Sequence, residues 1–261
     1  MNHKLIMGTG LAIVLSGCVL FDSTPDGLVF HCTFDDQTSI SNPAVGPAGK
    51  FVQGKFVAGK KGNALRLEPY TPSAAFAFPP NFFTQAGCIE MWFKIMNSKA
   101  QVGSGGDPRL FTINQKSSPD NTFFMVDFVN NDGGGDSGVS TWTILGNTAS
   151  IKGLRWNLTY PQLFPTSDYK DWHHIAVVWD DKGIQGLGEP RTVATFIDGK
   201  IIPCAKLGKR SPKGIEQLIA DASLLSFTYD PDRKTERNTK SPFLIDEFKI
   251  WNYAKTEFNL Q

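Results

Sequence analysis

The chain is poor in the residues that mark most catalytic, metal-binding and nucleic-acid-binding proteins. Only four cysteines and four histidines occur in 261 residues, and no two cysteines are spaced Cys-x-x-Cys. Zinc-ribbon and dithiol redox sites therefore have no support. Acidic and basic residues nearly cancel, 25 against 26. The modestly basic stretches Lys206–Lys213 and Arg233–Lys240 read as solvated loops, so a nucleic-acid partner has no support either. No apolar run reaches the roughly 20 residues of a membrane-spanning helix. Gly-x-Ser-x-Gly, a phosphate-binding loop and His-Glu-x-x-His are all missing. Helical periodicity is nearly absent, and no repeat, long linker or low-complexity tract divides the chain.

What is present is β-structure. Asp171–Asp180 (DWHHIAVVWD) is rich in β-branched and aromatic residues, as a strand buried on both faces requires. Arg191–Ile202 (RTVATFIDGKII) carries Asp198-Gly199 between apolar runs, a strong hairpin signal because both residues tolerate positive φ. Further strands are expected at Leu28–Phe34, Asn63–Leu67, Ala74–Phe78, Gly87–Ile95, Leu110–Asn114, Thr122–Val129, Ser140–Leu145, Leu154–Leu158, Ser223–Tyr229 and Phe243–Tyr253. Many short strands separated by turn residues predict an all-β sandwich or barrel in one domain.

The N-terminus follows another pattern. A short charged region, Met1–Lys4, precedes about 11 mostly apolar residues, Leu5–Leu15, the shape of a secretory signal. Leu15-Ser16-Gly17-Cys18 then resembles the bacterial lipobox. That resemblance implies a signal peptide over residues 1–18, lipidation of Cys18 and a short tether over 19–27. Several acyl chains are enough for stable anchoring. Val19 stands where an Asp retains some lipoproteins at the inner membrane, so an exported, outer-membrane location is expected. Removing Cys18 leaves Cys32, Cys88 and Cys204. One disulfide or buried free thiols are both open readings.

Six segments in order resemble the laminin-G-like, concanavalin A-like jelly-roll domains. They are LVFHCTFDD (28–36), GKKGNALRL (59–67), GCIEMWFK (87–94), WHHIAVVW (172–179), FIDGK (196–200) and LIDEFKIWNY (244–253). The resemblance implies an antiparallel β-sandwich over residues 28–256. It also implies a structural Ca²⁺ where the first and last strands meet. Asp35, Asp36 and Asp246 would supply carboxylates, and the turn from Gly59 to Asn63 backbone carbonyls. The competing reading has Asp35 and Asp36 capping a turn and Asp246 paired with a lysine. Asp132 and Asp136 lie in a glycine tract without the spacing of a calcium loop.

Catalysis is weakly supported. Related glycoside hydrolases carry Glu-x-Asp-x-Glu on one strand, whereas here Glu90 is followed by Trp92 and Lys94. His173 and His174 are adjacent in a strand and must point to opposite faces, so they cannot share a site. One structural and one surface histidine are expected. Phe30, Phe34, Trp92, Phe93, Phe196, Phe248 and Trp251 read as core. The irregular stretch Asn97–Lys170 offers freer aromatics: Trp142, Trp156, Tyr160 and Tyr169, with Arg155, Asn157 and Asp168 close in sequence. Rings that stack on sugars beside groups that bond hydroxyls suggest carbohydrate binding there. The expected function is a non-catalytic envelope module recognising carbohydrate or a glycosylated partner. The alternatives are a structural or adhesive module that binds an envelope protein, and a polysaccharide hydrolase or lyase.

Overall fold

The structure is a computed structural model that describes residues 24–68, 73–79, 85–96, 109–115, 122–130, 139–145, 171–180, 182–187, 193–201, 222–227 and 243–261. In chain order the elements are β1 (Leu28–Cys32), α1 (Gln37–Ser41), β2 (Gly49–Phe51), β3 (Lys55–Ala58), β4 (Asn63–Arg66), β5 (Ala74–Ala77), β6 (Ala86–Ile95), β7 (Arg109–Gln115), β8 (Thr122–Asn130), β9 (Val139–Leu145), β10 (Trp172–Asp180), β11 (Val193–Ile197), β12 (Lys200–Ile201), β13 (Ala222–Phe227) and β14 (Phe243–Trp251). They build an antiparallel β-sandwich. The larger sheet runs β12-β11-β10-β6-β14-β4-β3, with β1 also on β14, and the smaller runs β2-β5-β13-β7-β8-β9.

Phenylalanine rings join the two sheets. From the larger sheet, Phe30, Phe93 and Phe248 point inward to meet Phe76, Phe111 and Phe227 of the smaller one. Phe248 sits 4.7 Å from Phe227 and 5.3 Å from Phe111, both edge to face. Such pairs add about 0.5–1.5 kcal/mol beyond simple burial.

β10 is buried along nearly its whole length, as its composition predicts, because β6 and β11 flank it and both its faces are covered. Inward Ile175, Val177 and Trp179 join the inter-sheet core, while Ala176 and Val178 join a second apolar cluster on the outer face. The hairpin at Asp198-Gly199 is present, with φ of 49° and 72°, the positive pair that a tight hairpin turn needs.

β14 organises the larger sheet. β6 follows one of its edges. Its other edge is divided, with β4 on Leu244 and Ile245 and β1 on Phe248–Trp251. Where the partner changes, the register with β6 slips between Asp246 and Lys249, and Glu247 has φ 53°. This is a β-bulge.

Several expectations need correction. β1 ends at Cys32 rather than Phe34, because Phe34 turns out of the strand at φ 59° to bury its ring. The turn-rich stretch after it contains α1, which Asp36 caps through Ser39 N–H at 2.7 Å. β2 and β3 sit among glycines that gave no strand signal. Gly49 of β2 lies so close to the Phe76 ring that a Cβ would overlap it. Trp92, Phe196 and Trp251 are buried, but on the outer face rather than between the sheets. Cys32 and Cys88 are free and buried in different clusters. Burial pushes the Cys32 thiol up to about 12 and the Cys88 thiol well above its ordinary value. Cys18, Cys204 and the strand expected at 154–158 lie outside the described residues.

Candidate ligand pocket on the outer face of the larger sheet

The corner expected to hold calcium is assembled around the β3–β4 turn. The N–H groups of Lys60 and Lys61 donate to Asp246 Oδ2 at 2.8 and 2.9 Å. Asn63 N–H donates to Asp35 Oδ1 at 2.8 Å, and the Asn63 amide donates to the Asp35 carbonyl at 3.1 Å. Gly59 and Gly62 leave room for these carboxylates, since a Cβ on either would collide with Asp246 or Asp35. Thus Asp35, Gly59, Asn63 and Asp246 come together, while Asp36 is occupied with α1. Among the described residues no three His, Cys, Asp or Glu side chains converge as a metal cluster would. The corner nevertheless offers two carboxylates, and Asp246 Oδ1 is buried without a hydrogen-bond partner. Burial pushes the Asp246 carboxyl up to about 7. The residues fit a calcium ion if carbonyl and water oxygens supply the rest of its six to eight ligands.

Beside this corner, outward-facing residues enclose a cavity of about 320 Å³. Strand register brings them together. Glu90 and Trp92 lie two apart on β6, opposite Ala176 and His174 of β10 and Lys249 and Asp246 of β14. His31 of β1 lies opposite Lys249. The bulge turns Glu247 to the same face. Pro25 and Leu28 from the start of the described chain, and Lys255 and Asn259 from its end, close the rim.

Glu90 is the centre of this network. Its Oε1 accepts from Trp251 Nε1 at 2.7 Å and from Lys255 Nζ at 2.6 Å, and its Oε2 faces His174 Nε2 at 3.0 Å. An ionised carboxylate only accepts, so His174 donates through Nε2. Burial alone would push Glu90 up. The hydrogen bonds from His174 and Lys255, with the Lys255 charge, bring it down to about 2. A second carboxylate repeats the pattern: Glu247 Oε2 accepts from His31 Nε2 at 3.1 Å and from Lys249 Nζ at 2.7 Å. Against the effect of burial, these contacts hold Glu247 at about 2 as well. Lys255 lies 4.1 Å above the Trp251 ring and Lys60 lies 4.4 Å from the Trp92 ring. Both pocket glutamates are therefore held ionised at neutral pH, whereas glycoside hydrolysis needs one carboxyl held protonated. Asp246, the acid with a raised pKa, is buried and does not line the cavity.

The two adjacent histidines do point to opposite faces, yet neither is a surface residue. His173 bonds Asp198 Oδ2 at 2.7 Å, and His174 is buried in the pocket wall. In the sequence Glu90 carries only a weak catalytic signal, and nothing marks His31, Glu247, Lys249 or Lys255 as site residues. The alternation of Glu90 and Trp92 was the one available signal. Of the aromatic set, Trp142 is placed on β9 opposite Asp127 of β8. Arg155, Trp156, Asn157, Tyr160, Asp168 and Tyr169 lie outside the described residues.

The ionised Glu90 network has a pH signature. Its folded pKa lies below the ordinary 4.5, so its contribution is complete above about pH 4.5 and is lost as the pH falls toward 2. Glu90→Gln is expected to cost about 3 kcal/mol at pH 7, as for breaking a buried ion pair. Urea unfolding should show the gap to wild type narrowing below pH 4. A gap constant down to pH 2 would show that ionised Glu90 is not what holds the network.

No protein-family model matches the chain, and no curated protein matches it. Solved structures do. The chain is similar to the binding domain of Paraclostridial Mosquitocidal Protein 1, at 16% identity and TM-score 0.55, over 88% of this chain and 50% of that one. It is similar to the botulinum neurotoxin serotype D binding domain, at 12% identity and TM-score 0.55, over 88% and 49%. A third likeness is to Trypanosoma rangeli sialidase in complex with sialic acid, at 11% identity and TM-score 0.52, over 88% and 31%. The chain spans about half the length of the toxin domains and about a third of the sialidase. What it shares with them is the β-sandwich fold.

Proposed function

We propose that this protein is a non-catalytic binding module of the cell envelope that recognises carbohydrate or a glycosylated partner through the outer-face pocket. The observation that carries the reading is the pocket itself. Its volume falls within the roughly 300–1,000 Å³ of small-ligand sites, and it sets two indoles, Trp92 and Trp251, beside fixed charged groups. Apolar ring with polar edge is the chemistry of a sugar. The occurrence of the fold in two toxin binding domains supports a binding role. The test is a broad glycan and polysaccharide panel read by tryptophan fluorescence. A saccharide hit weakened about tenfold by Lys249→Gln is expected. A hit insensitive to that change but lost in Trp142→Ala or Trp156→Ala would move the site to the middle of the chain. A blank panel would favour the protein-binding, adhesive reading.

Export and anchoring at Cys18 belong to the same proposal. Pro25, on the pocket rim, follows Cys18 by seven residues, a span of at most about 25 Å. The anchor would therefore hold the pocket close to the membrane surface. Cells fed labelled palmitate should label the wild type and leave Cys18→Ser unlabelled. Equal labelling would remove the anchor from the reading.

The proposal also places a structural calcium ion at the β3–β4 corner, with Asp35 and Asp246 as its carboxylates. The buried, unpartnered Asp246 Oδ1 supports it. Millimolar Ca²⁺ should raise the Tm of the wild type by a few degrees, as mass action requires, and should leave Asp246→Asn unmoved. An unchanged wild-type Tm with Ca²⁺ and with chelator would rule the ion out at those concentrations.

A further inference from the structure

The pocket's hydrogen-bonding capacity is unbalanced. Glu90 and Glu247 together accept from Trp251, Lys255, His174, His31 and Lys249. Glu90 has bonds on both oxygens, so little acceptor capacity is left there for a ligand. Donors are in excess. Each lysine ammonium carries three N–H groups, and Lys249 and Lys255 each use one on a glutamate. Lys61 is exposed, lines the cavity, and makes no side-chain hydrogen bond or ion pair among the described residues. Its backbone N–H alone is engaged, on Asp246. Three lysines thus face two carboxylates on the lining.

A cavity whose central Glu90 is engaged on both oxygens, with free ammonium donors and an unpaired cation on its lining, is built for an anion. We propose that the pocket selects acidic saccharides, sugars bearing a carboxylate, with Lys61 as the residue that meets the charge. The inference rests on the saccharide reading above and adds its substrate class. A charge-assisted bond from ammonium to carboxylate is stronger than one to a neutral oxygen. Discrimination of about tenfold, or about 1.4 kcal/mol, is the expected scale.

The experiment is calorimetric titration of the full-length protein with short oligomers of galacturonate, glucuronate and mannuronate, each beside its uncharged methyl ester, with neutral oligosaccharides alongside. At least one uronate should bind about tenfold tighter than its ester, with the advantage shrinking as salt is raised. Lys61→Gln should bring uronate affinity down to that of the ester at unchanged Tm, and Lys61→Arg should retain it. Equal affinity of wild type for acid and ester would overturn the charge inference and leave the saccharide reading standing. A blank across acidic, esterified and neutral sugars would overturn both. Inorganic phosphate binding as tightly as the best uronate would reduce the pocket to a general anion site and overturn the saccharide part.

Discussion

The bulge in β14 is the constraint on which the outer face depends. Regular alternation would send Asp246 outward and Glu247 into the phenylalanine core. The extra residue keeps both acids outward and returns Phe248 and Ile250 to the inner face. Its cost is a glutamate at φ 53°, a conformation that costs of order 1–3 kcal/mol for a residue with a side chain. The compensation is local. Glu247 gains His31 and Lys249, and Asp246 gains the two N–H groups of the β3–β4 turn. The bulge also falls where β14 exchanges β4 for β1 along one edge. One irregularity thus sets the seam between two strand partners, the corner that binds the turn, and one wall of the cavity.

The second determinant is the burial of charge. Glu90 has only 5% of its surface exposed, and a carboxylate so placed is stable only with its lone pairs engaged. Three donors from three segments meet that demand, among them Lys255 from beyond the last strand. The network therefore fastens the C-terminal segment across the outer face, where Phe258 packs 5.2 Å from both His174 and Phe196. The two carboxylates, held ionised by fixed partners, set a rigid charge pattern on the outer face.

What the sequence made legible follows from the range of the interactions involved. β10, β6 and the Asp198-Gly199 hairpin were readable because alternation, β-branched content and turn chemistry are local properties. Asp35 and Asp246 could be expected at one corner because the resemblance placed the first and last strands side by side. Asp36 left that set because Ser39, three residues on, completes a capping box, a competing local use that the surrounding turn residues concealed. The pocket was not legible. It depends on cross-strand register, on a bulge that no residue pattern announces, and on a segment after β14 without periodicity. Trp92 and Trp251 read correctly as buried, yet burial does not say which side of a sheet a residue occupies until its neighbours in register are known.

Pairing of the first and last strands has a consequence for the proposed anchor. β1 and β14 run antiparallel, so the residues entering β1 and those leaving β14 emerge at the same end of the sheet. Gly27 and Asn252 are joined there by a backbone hydrogen bond of 2.9 Å, and Pro25 and Lys255 both reach the pocket rim. A tether attached before Pro25 cannot be separated from the pocket by any motion that leaves this pairing intact. With a lipid at Cys18, the distance between bilayer and pocket would be bounded by chain length rather than by the orientation of the sandwich. A ligand carried on the membrane, or held in the layer next to it, would then meet the site at high effective concentration, so that a modest intrinsic affinity would suffice.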